Sequence, residues 1–178
     1  MKFLLYLVMF FLLLNVFATA QSLIQDSCKK AAANNPTFKL DFCVKSLQGN
    51  PQSKTAKTLA DLVMASTKNA AAKATSLKGM VDKILKDKKH AKDAEMPFRD
   101  CLELYTDATA SLNEASTSVK SRDYRTATVA MSAAMDAPST CETGFKERKT
   151  LQKSPFATEN DVLIQTIRIP LAFTNMLK

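Results

Sequence analysis

Small and apolar residues recur at steps of three and four between residues 98 and 145, the spacing of one face of an α-helix. The repeat is interrupted once, at the polar residues Ser121, Arg122 and Asp123. Its members are Phe98, Cys101, Leu102, Tyr105, Ala108, Leu112, Ala115 and Val119 before the interruption, and Tyr124, Ala127, Met131, Ala134, Pro138, Cys141 and Phe145 after it. The pattern predicts two helices folded back on each other around this turn, with Asp123 capping the second helix.

The four cysteines are placed symmetrically about predicted turns. The midpoint of Cys101 and Cys141 is residue 121, and residues equally distant from the turn of an antiparallel hairpin lie opposite each other. The midpoint of Cys28 and Cys43 falls at a second turn, Asn35-Pro36. Four cysteines allow three pairings, and this symmetry favours Cys28 with Cys43 and Cys101 with Cys141. A zinc site is the alternative, which the wide cysteine spacing disfavours.

The chain before the repeat divides at two turns rich in Asn and Pro. We expect an N-terminal helical hairpin over residues 21–50, made of short helices at 22–33 and 39–47. The longest helix of the chain is expected at 55–86, with a core stripe that is rich in small residues.

The last helix is predicted to be apolar on nearly all sides and therefore central to the packing. Thr158 and Asp161 have the spacing of a helix-capping box, so the helix is expected to begin there. Pro138 and Pro170 fall within predicted helices and should bend them. Four long helices with short connections predict an all-α, up-down-up-down four-helix bundle over residues 55–178, preceded by the N-terminal hairpin.

Residues 1–20 have the pattern of a secretory signal peptide. Lys2 is followed by an apolar run over residues 3–17 and by the small-residue cleavage signal Ala18-Thr19-Ala20. About 15 apolar residues are fewer than the roughly 20 that a membrane span needs. We therefore expect cleavage before Gln21 and a secreted domain at 21–178 that has no membrane segment.

Composition and charge narrow the class further. The chain has three glycines and no tryptophan, which favours an all-helical domain. Its formal net charge is +8, with lysines clustered at Lys83, Lys86, Lys88, Lys89 and Lys92. A solvated face is one interpretation of this cluster; attraction to an acidic wall polymer or to an acidic partner is the other. No aromatic residues alternate with the basic ones, so nucleic-acid binding is not expected.

The sequence contains none of the common catalytic motifs, such as a Gly-rich phosphate loop or a Gly-x-Ser-x-Gly elbow. The single histidine, His90, is interpreted as an exposed bystander in a lysine-rich loop. Glu103, Asp107 and Glu114 lie along one predicted helix and are interpreted as a solvated face. We therefore expect a protein that is not an enzyme and that needs no cofactor or metal.

The hairpin carries the candidate binding residues. Thr106, Thr109, Asn113 and Thr117 form a polar stripe beside the core stripe, and short polar side chains lose little entropy when a partner binds. The second helix is poor in charge between residues 126 and 137. There Thr126, Ala130 and Ala133 are predicted to point outward, and Arg122 and Arg125 at the turn could contact a carboxylate. Bland solvated surface is the alternative for the polar stripe and the charge-poor segment.

Taken in order, these features resemble the plant invertase/pectin methylesterase inhibitor family. The resemblance rests on the Cys-x14-Cys hairpin, the Cys-x39-Cys helix pair, Asp123-Tyr124 at the turn, Thr140-Cys141-Glu142 with Phe145, and Ser154-Pro155-Phe156 before the last helix. Within the family it is most similar to pollen proteins named as invertase inhibitors. It implies a secreted four-helix bundle with two local disulfides that binds one wall enzyme and occludes its active-site cleft.

The resemblance allows two target enzymes. Invertase inhibitors insert a Pro-Lys-Phe segment into the target; the matching positions here are Tyr124-Arg125-Thr126, which keep only the basic residue. Pectin methylesterase inhibitors present polar helix faces across the pectin groove, which suits the stripe from Thr106 to Thr117. We therefore rank pectin methylesterase inhibition in a 1:1 complex first and invertase inhibition second. The third hypothesis is a secreted, allergen-like structural protein without an enzyme target. The fourth is a small-ligand carrier.

Overall fold

The computed structural model describes residues 2–88, 90–148 and 154–177, and it contains α-helices, short 3-10 turns and no strand over those residues. The α-helices are α1 (Lys2–Asn34), α2 (Leu40–Gln48), α3 (Leu59–Asp87), α4 (Glu95–Lys120), α5 (Tyr124–Lys146) and α6 (Ala157–Asn175). The 3-10 turns span Ser53–Thr55 and Lys92–Ala94. The all-α prediction is confirmed.

Helices α3 to α6 form the predicted bundle, because each packs against the next and α6 closes the ring against α3. The predicted stripes supply the core: Leu62, Ala70, Ala74 and Val81 of α3 are 0% exposed, as are Tyr105, Leu112 and Ala115 of α4. Alanines at the centre allow close approach of the helices. From α6 the core receives Leu163, Ile167, Ile169 and Phe173.

The α4–α5 hairpin turns where the sequence predicts. Arg122 takes the left-handed backbone conformation (φ 62°), and the Asp123 N–H donates to the Ser118 carbonyl at 2.8 Å. The Asp123 carboxylate caps α5 by accepting from the Thr126 N–H at 3.0 Å. At the open end Cys101 and Cys141 form a disulfide, with Cα atoms 4.9 Å apart. Both the cap and the pairing are confirmed.

The N-terminal hairpin follows the same design at smaller scale. Cys28 and Cys43 form the second predicted disulfide, with Cα atoms 5.9 Å apart. Helix α2 packs on α1 and α6, and the Arg168 guanidinium donates to the Thr37 carbonyl at 3.4 Å. The helix expected at 22–33 is part of the continuous helix α1. Among the described residues, no helix is long and apolar enough to cross a membrane.

Two helix starts differ from the prediction. Helix α3 begins at Leu59 because Thr58 and Asp61 form a reciprocal capping box: the Thr58 hydroxyl accepts from the Asp61 N–H, and the Asp61 carboxylate accepts from the Thr58 N–H. At 29 residues α3 is shorter than the 33-residue α1. Helix α6 begins at Ala157 and its N-cap is Phe156, so the predicted capping role of Thr158 is wrong.

The start of α6 is fixed by burial of Phe156. This ring is 2% exposed and lies against the rings of Phe98, Tyr105 and Phe145, at centroid distances of 6.0 to 6.1 Å. Aromatic packing therefore sets the entry of the chain into the helix, and Thr158 is left exposed. Pro138 and Pro170 are buried in helices that continue through them.

A buried polar network lies beside the Cys101–Cys141 disulfide. The Tyr105 hydroxyl donates to Asn160 Oδ1 at 2.5 Å, and Asn160 Nδ2 donates to Glu142 Oε1 at 2.6 Å. The Glu142 carboxylate also accepts from the Ser154 hydroxyl. Burial is the main cause that raises the pKa of Tyr105 above its usual range, so this hydroxyl stays protonated and acts as a donor. The network ties α4, α5 and α6 together at one end of the bundle.

Candidate functional site

The polar stripe predicted on α4 is a surface feature. Thr106, Asn113 and Thr117 are exposed and Thr109 is half-buried. Each of the three threonine hydroxyls donates to a carbonyl one turn earlier in its own helix: Thr106 to Leu102 at 2.7 Å, Thr109 to Tyr105 at 2.7 Å, and Thr117 to Asn113 at 3.2 Å.

These intrahelical bonds change what the stripe can offer a partner. Because the hydroxyl protons are engaged, the threonines present methyl groups and oxygen lone pairs, whereas Asn113 presents both amide groups. The same bonds restrict the threonine side chains before any partner arrives. Ordering the stripe in a complex therefore costs little conformational entropy.

The outward face of α5 differs from the prediction at one residue. Ala133 is exposed and Thr126 is half-buried, but Ala130 is only 6% exposed. Ala130 comes three residues after Ala127 and four before Ala134, so it lies beside the core stripe instead of facing solvent. Its predicted outward position is wrong.

Val129 is a surface residue that the sequence reasoning missed. It is 66% exposed, an unusual position for a β-branched apolar side chain in this bundle. The sequence contains a signal for this exposure. Val129 comes four residues after Arg125 and four before Ala133, so it lies on the same outward face of the helix. Burial of this exposed apolar side chain against another protein would be favourable.

The turn carries two exposed arginines, Arg122 and Arg125. Neither takes part in an ion pair among the described residues, where the salt bridges are Lys86–Asp82 and Arg99–Glu95. Hydrogen bonds from the Thr126 side chain and backbone hold the pKa of Asp123 below its usual range, so this carboxylate stays ionised as the helix cap. Both guanidinium groups remain available to a partner.

The groove between α4 and α5 is acidic at the end that carries the disulfide. On α4 it is lined by Pro97, Asp100, Glu103, Leu104 and Asp107, and its volume is about 430 Å³. The sequence indicated a solvated face and no obvious cleft for Glu103 and Asp107; both are exposed, but they line this shallow groove. Glu114, lying further along α4, is exposed.

The polar stripe lies on the side of α4 that faces away from this groove. Thr106, Thr109 and Asn113 each come nine residues after a groove residue, Pro97, Asp100 and Leu104 respectively. Nine residues are two and a half helical turns, which places the members of each pair on opposite sides of the helix. Thr106 also follows Glu103 by three residues, so it lies at the border between the two faces. The stripe is therefore the flank of α4 nearer to α3.

The turn connects the stripe to the candidate residues of α5. Thr117 lies in the last turn of α4, and Arg125 and Thr126 lie in the first turn of α5. The structure thus brings Thr117, Arg122, Arg125 and Thr126 together at one end of the hairpin. Thr106 lies about 17 Å from Thr117 along the helix axis, at 1.5 Å per residue.

The structure also shows the surroundings of His90 and of the lysine cluster. His90 is half-buried, and its ring lies 5.4 Å from that of Phe98, so it packs on the bundle and is not a fully exposed bystander. In the lysine cluster, Lys86 pairs with Asp82 at 2.6 Å and Lys83, Lys88 and Lys92 are exposed. Lys89 lies outside the described residues.

Among the described residues, no group of three or more His, Cys, Asp or Glu side chains could hold a metal ion. The four cysteines are all in disulfides.

Comparison with known sequences identifies relatives along nearly the whole chain. The family described as plant invertase/pectin methylesterase inhibitor matches residues 22–173. Pectinesterase inhibitor 12 of Arabidopsis thaliana is 55% identical over 177 residues, covering 99% of this chain and 100% of that protein. The "Putative invertase inhibitor" of Platanus orientalis is 39% identical and covers 90% and 93% of the two chains.

Solved structures share the fold. A mutant form of a pectin methylesterase inhibitor from Arabidopsis superposes with a TM-score of 0.69 at 23% identity, over 89% of this chain and 97% of that chain. A pectin methylesterase inhibitor from Arabidopsis thaliana superposes with a TM-score of 0.63 at 24% identity, over 88% and 97%.

Proposed function

Because the chain belongs to the plant invertase/pectin methylesterase inhibitor family, we propose that it inhibits pectin methylesterase by binding the enzyme and covering its substrate cleft. The observation that carries this proposal is the 55% identity to a pectinesterase inhibitor over 99% of the chain. The protein acts by obstruction, has no catalytic activity of its own and requires no cofactor.

The proposed contact surface has two parts. The first is the polar flank of α4, formed by Thr106, Thr109, Asn113 and Thr117. The second is the turn end, formed by Arg122, Arg125 and Thr126, beside which Val129 adds an exposed apolar contact. Fixed threonine side chains and a rigid helical frame support this assignment, since preorganised groups lose the least entropy on binding.

The complex is proposed to be 1:1 and to form in the cell wall. Residues 1–20 are proposed to be a signal peptide that is removed on secretion, which leaves residues 21–178 as the inhibitor domain. The full chain has a formal net charge of +8, and loss of Lys2 with the signal peptide leaves +7, which supports an additional weak attraction to acidic pectin, the polymer on which the target enzyme acts.

Invertase is the second candidate target. Two observations favour it: the 39% identity to a Platanus protein named as an invertase inhibitor, and the exposed basic side chain of Arg125. Against it, the positions that match the Pro-Lys-Phe segment, Tyr124, Arg125 and Thr126, keep only the basic residue. A secreted structural protein without an enzyme target is the remaining alternative.

The test is a titration of the secreted protein against a purified pectin methylesterase and a purified invertase. We expect stoichiometric loss of pectin methylesterase activity and unchanged invertase activity. Inhibition of invertase alone, with loss of that inhibition in Arg125→Ala, would make invertase the first candidate target and pectin methylesterase the second. Inhibition of neither enzyme would contradict the proposed function.

A matched pair of variants locates the surface. Asn113→Lys places a long charged side chain on the polar flank of α4 and should weaken inhibition about a hundredfold, as changes at central interface residues can. Ser139→Lys introduces the same side chain at an exposed position near the disulfide end of α5, away from the turn. It should leave inhibition within about twofold, and both variants should keep the circular dichroism spectrum of the parent.

A further inference from the structure

A second groove lies on another side of the molecule. It has a volume of about 470 Å³ and lies where the N-terminal hairpin meets the bundle, between α2, α3 and α6. Lys45 of α2 and Lys73 of α3 enter its lining from facing elements. Both side chains are exposed, and neither is in an ion pair among the described residues. None of the described residues that line the groove is acidic.

Charge is divided between the helices in a way that favours an anion here. Helix α3 carries five lysines and three acidic residues. Helix α4, on the neighbouring side of the bundle, carries five acidic residues and two basic ones. An anionic polymer is therefore attracted to the α2–α3 side and repelled from the α4–α5 groove.

The rest of the lining fits a sugar better than an acidic peptide. Phe42 is half-buried and offers part of an aromatic face to the apolar side of a sugar ring. The Asn69 amide donates to the Ser46 hydroxyl at 3.4 Å, which fixes these two polar groups at the boundary of α2 and α3. The Asn50 side-chain oxygen accepts from the Gln52 N–H at 2.8 Å, and its amide nitrogen makes no bond within the described residues.

Together these groups provide two cations, an aromatic face and several amide or hydroxyl groups in one concave site. Its volume falls in the range of small-ligand sites. We propose that this groove binds the carboxylated sugar units of an acidic polysaccharide, with Lys45 and Lys73 each contacting a uronate carboxylate. This assignment rests on the proposed attraction of the protein to acidic pectin, and it places that attraction in the groove. It does not require that the protein inhibit an enzyme.

The groove and the proposed enzyme contact surface can be occupied together. The groove lies at the α3–α6 edge of the bundle, whereas the contact surface lies on the outer flank of α4 and at the α4–α5 turn. One molecule could therefore hold the polysaccharide while it covers the enzyme that acts on it. Binding through the groove would raise the local concentration of inhibitor at the substrate.

The test is calorimetric binding of a purified oligogalacturonate to the secreted protein, with its methyl-esterified form as the neutral probe. The groove variant is Lys45→Gln/Lys73→Gln. The matched control, Lys83→Gln/Lys88→Gln, removes two exposed lysines outside the groove lining and gives the same net charge. Amide chemical-shift changes on titration identify the residues involved.

The groove variant should lose roughly tenfold in affinity and the control less than about twofold. Binding should weaken with added salt and be absent with the esterified probe. Shift changes should centre on Ser46, Asn50 and Asn69. Complex formation with pectin methylesterase, measured without pectin, should be the same for both variants.

Four results would overturn the inference. Equal losses in the two variants would mean that attraction is diffuse and has no site in the groove. Equal affinity for the esterified probe would exclude carboxylate recognition. Competition by polyglutamate at equal concentration would exclude selectivity for sugar. Loss of enzyme binding in the groove variant alone would place the groove in the enzyme interface instead. If the parent protein binds oligogalacturonate but inhibits no enzyme, the proposed function fails and the groove assignment stands.

Discussion

Two hairpins in this molecule share one design and differ in how they are supported. Each has a polar turn at the midpoint of two cysteines and a disulfide at its open end. The α4–α5 hairpin forms half of the bundle, and its disulfide adjoins a buried network of Tyr105, Asn160 and Glu142. The α1–α2 hairpin packs on the outside of the bundle. Loss of the disulfide in the buried core should therefore lower the unfolding free energy of the whole protein. Loss of the disulfide in the N-terminal hairpin should mainly increase local opening of that hairpin.

The largest expected effect is loss of the Cys101–Cys141 disulfide. Closure of this long loop accounts for about 4 kcal/mol in the chain-entropy model. The double variant Cys101→Ala/Cys141→Ala should lose at least that much unfolding free energy, because the cavity it leaves lies in the core. Urea denaturation followed by circular dichroism measures the change. A loss below about 1 kcal/mol would contradict the central role of this hairpin.

Loss of the Cys28–Cys43 disulfide should have a smaller and local effect. The shorter loop corresponds to about 3 kcal/mol in the same model, most of which should appear as opening of the N-terminal hairpin. In Cys28→Ala/Cys43→Ala, hydrogen exchange should accelerate in α2 while α4 and α5 keep their protection. Oligogalacturonate binding should fall, since Lys45 is on α2, and enzyme inhibition should persist. Faster exchange throughout the bundle would show that the two hairpins are equivalent.

The buried network beside the Cys101–Cys141 disulfide distinguishes the α4–α5 hairpin from the α1–α2 hairpin. Tyr105→Phe removes the hydroxyl that donates to Asn160 and leaves a buried amide oxygen without its donor, at a cost of about 1 to 3 kcal/mol. Tyr124→Phe is the matched control, because Tyr124 is half-buried and its hydroxyl makes no bond within the described residues. The control should change the unfolding free energy by less than about 0.5 kcal/mol. Equal effects of the two changes would remove the network from this account.

The smallest effect is expected at the α5 cap. The pKa of Asp123 is lowered from 3.8 in the folded protein by hydrogen bonds from Thr126. Its contribution to stability is therefore complete above the unfolded-state pKa and is lost as the pH falls through the lower, folded-state value. Asp123→Asn, which keeps a capping oxygen, should be less stable than the parent at pH 7 and should lose less stability below about pH 4. Identical pH profiles for the two proteins would exclude a charged cap.

Periodicity was sufficient to predict the bundle because its core stripes are regular and its cysteines are symmetric about the turns. It failed where tertiary packing decides the outcome, at the start of α6 and on one flank of α5. Thr158 has a good capping sequence, yet the burial of Phe156 starts α6 at Ala157. Ala130 looked outward in a charge-poor segment, but a small residue beside the core stripe is buried by the neighbouring helices.

The residues that carried the family resemblance explain why the fold was easier to predict than the site. Glu142, Ser154 and Phe156 hold the start of α6 against α5, and Cys141 closes the hairpin. These residues specify the bundle and lie outside the proposed contact surface. Most of the proposed contact residues are short polar side chains that suit many helix faces, so the sequence alone proposes them without selecting a target. The groove that contains Lys45 and Lys73 joins residues far apart in the chain and follows only from the packing of α2 on the bundle.

Hydrogen exchange of the protein, free and bound to pectin methylesterase, reports which face of the bundle the enzyme covers. We predict slower exchange on binding in the outer flank of α4 and at the turn, from Thr106 to Val129, and unchanged exchange in α2. No protection by the enzyme at saturating concentration, or protection confined to α2 and the α3–α6 edge, would contradict the account.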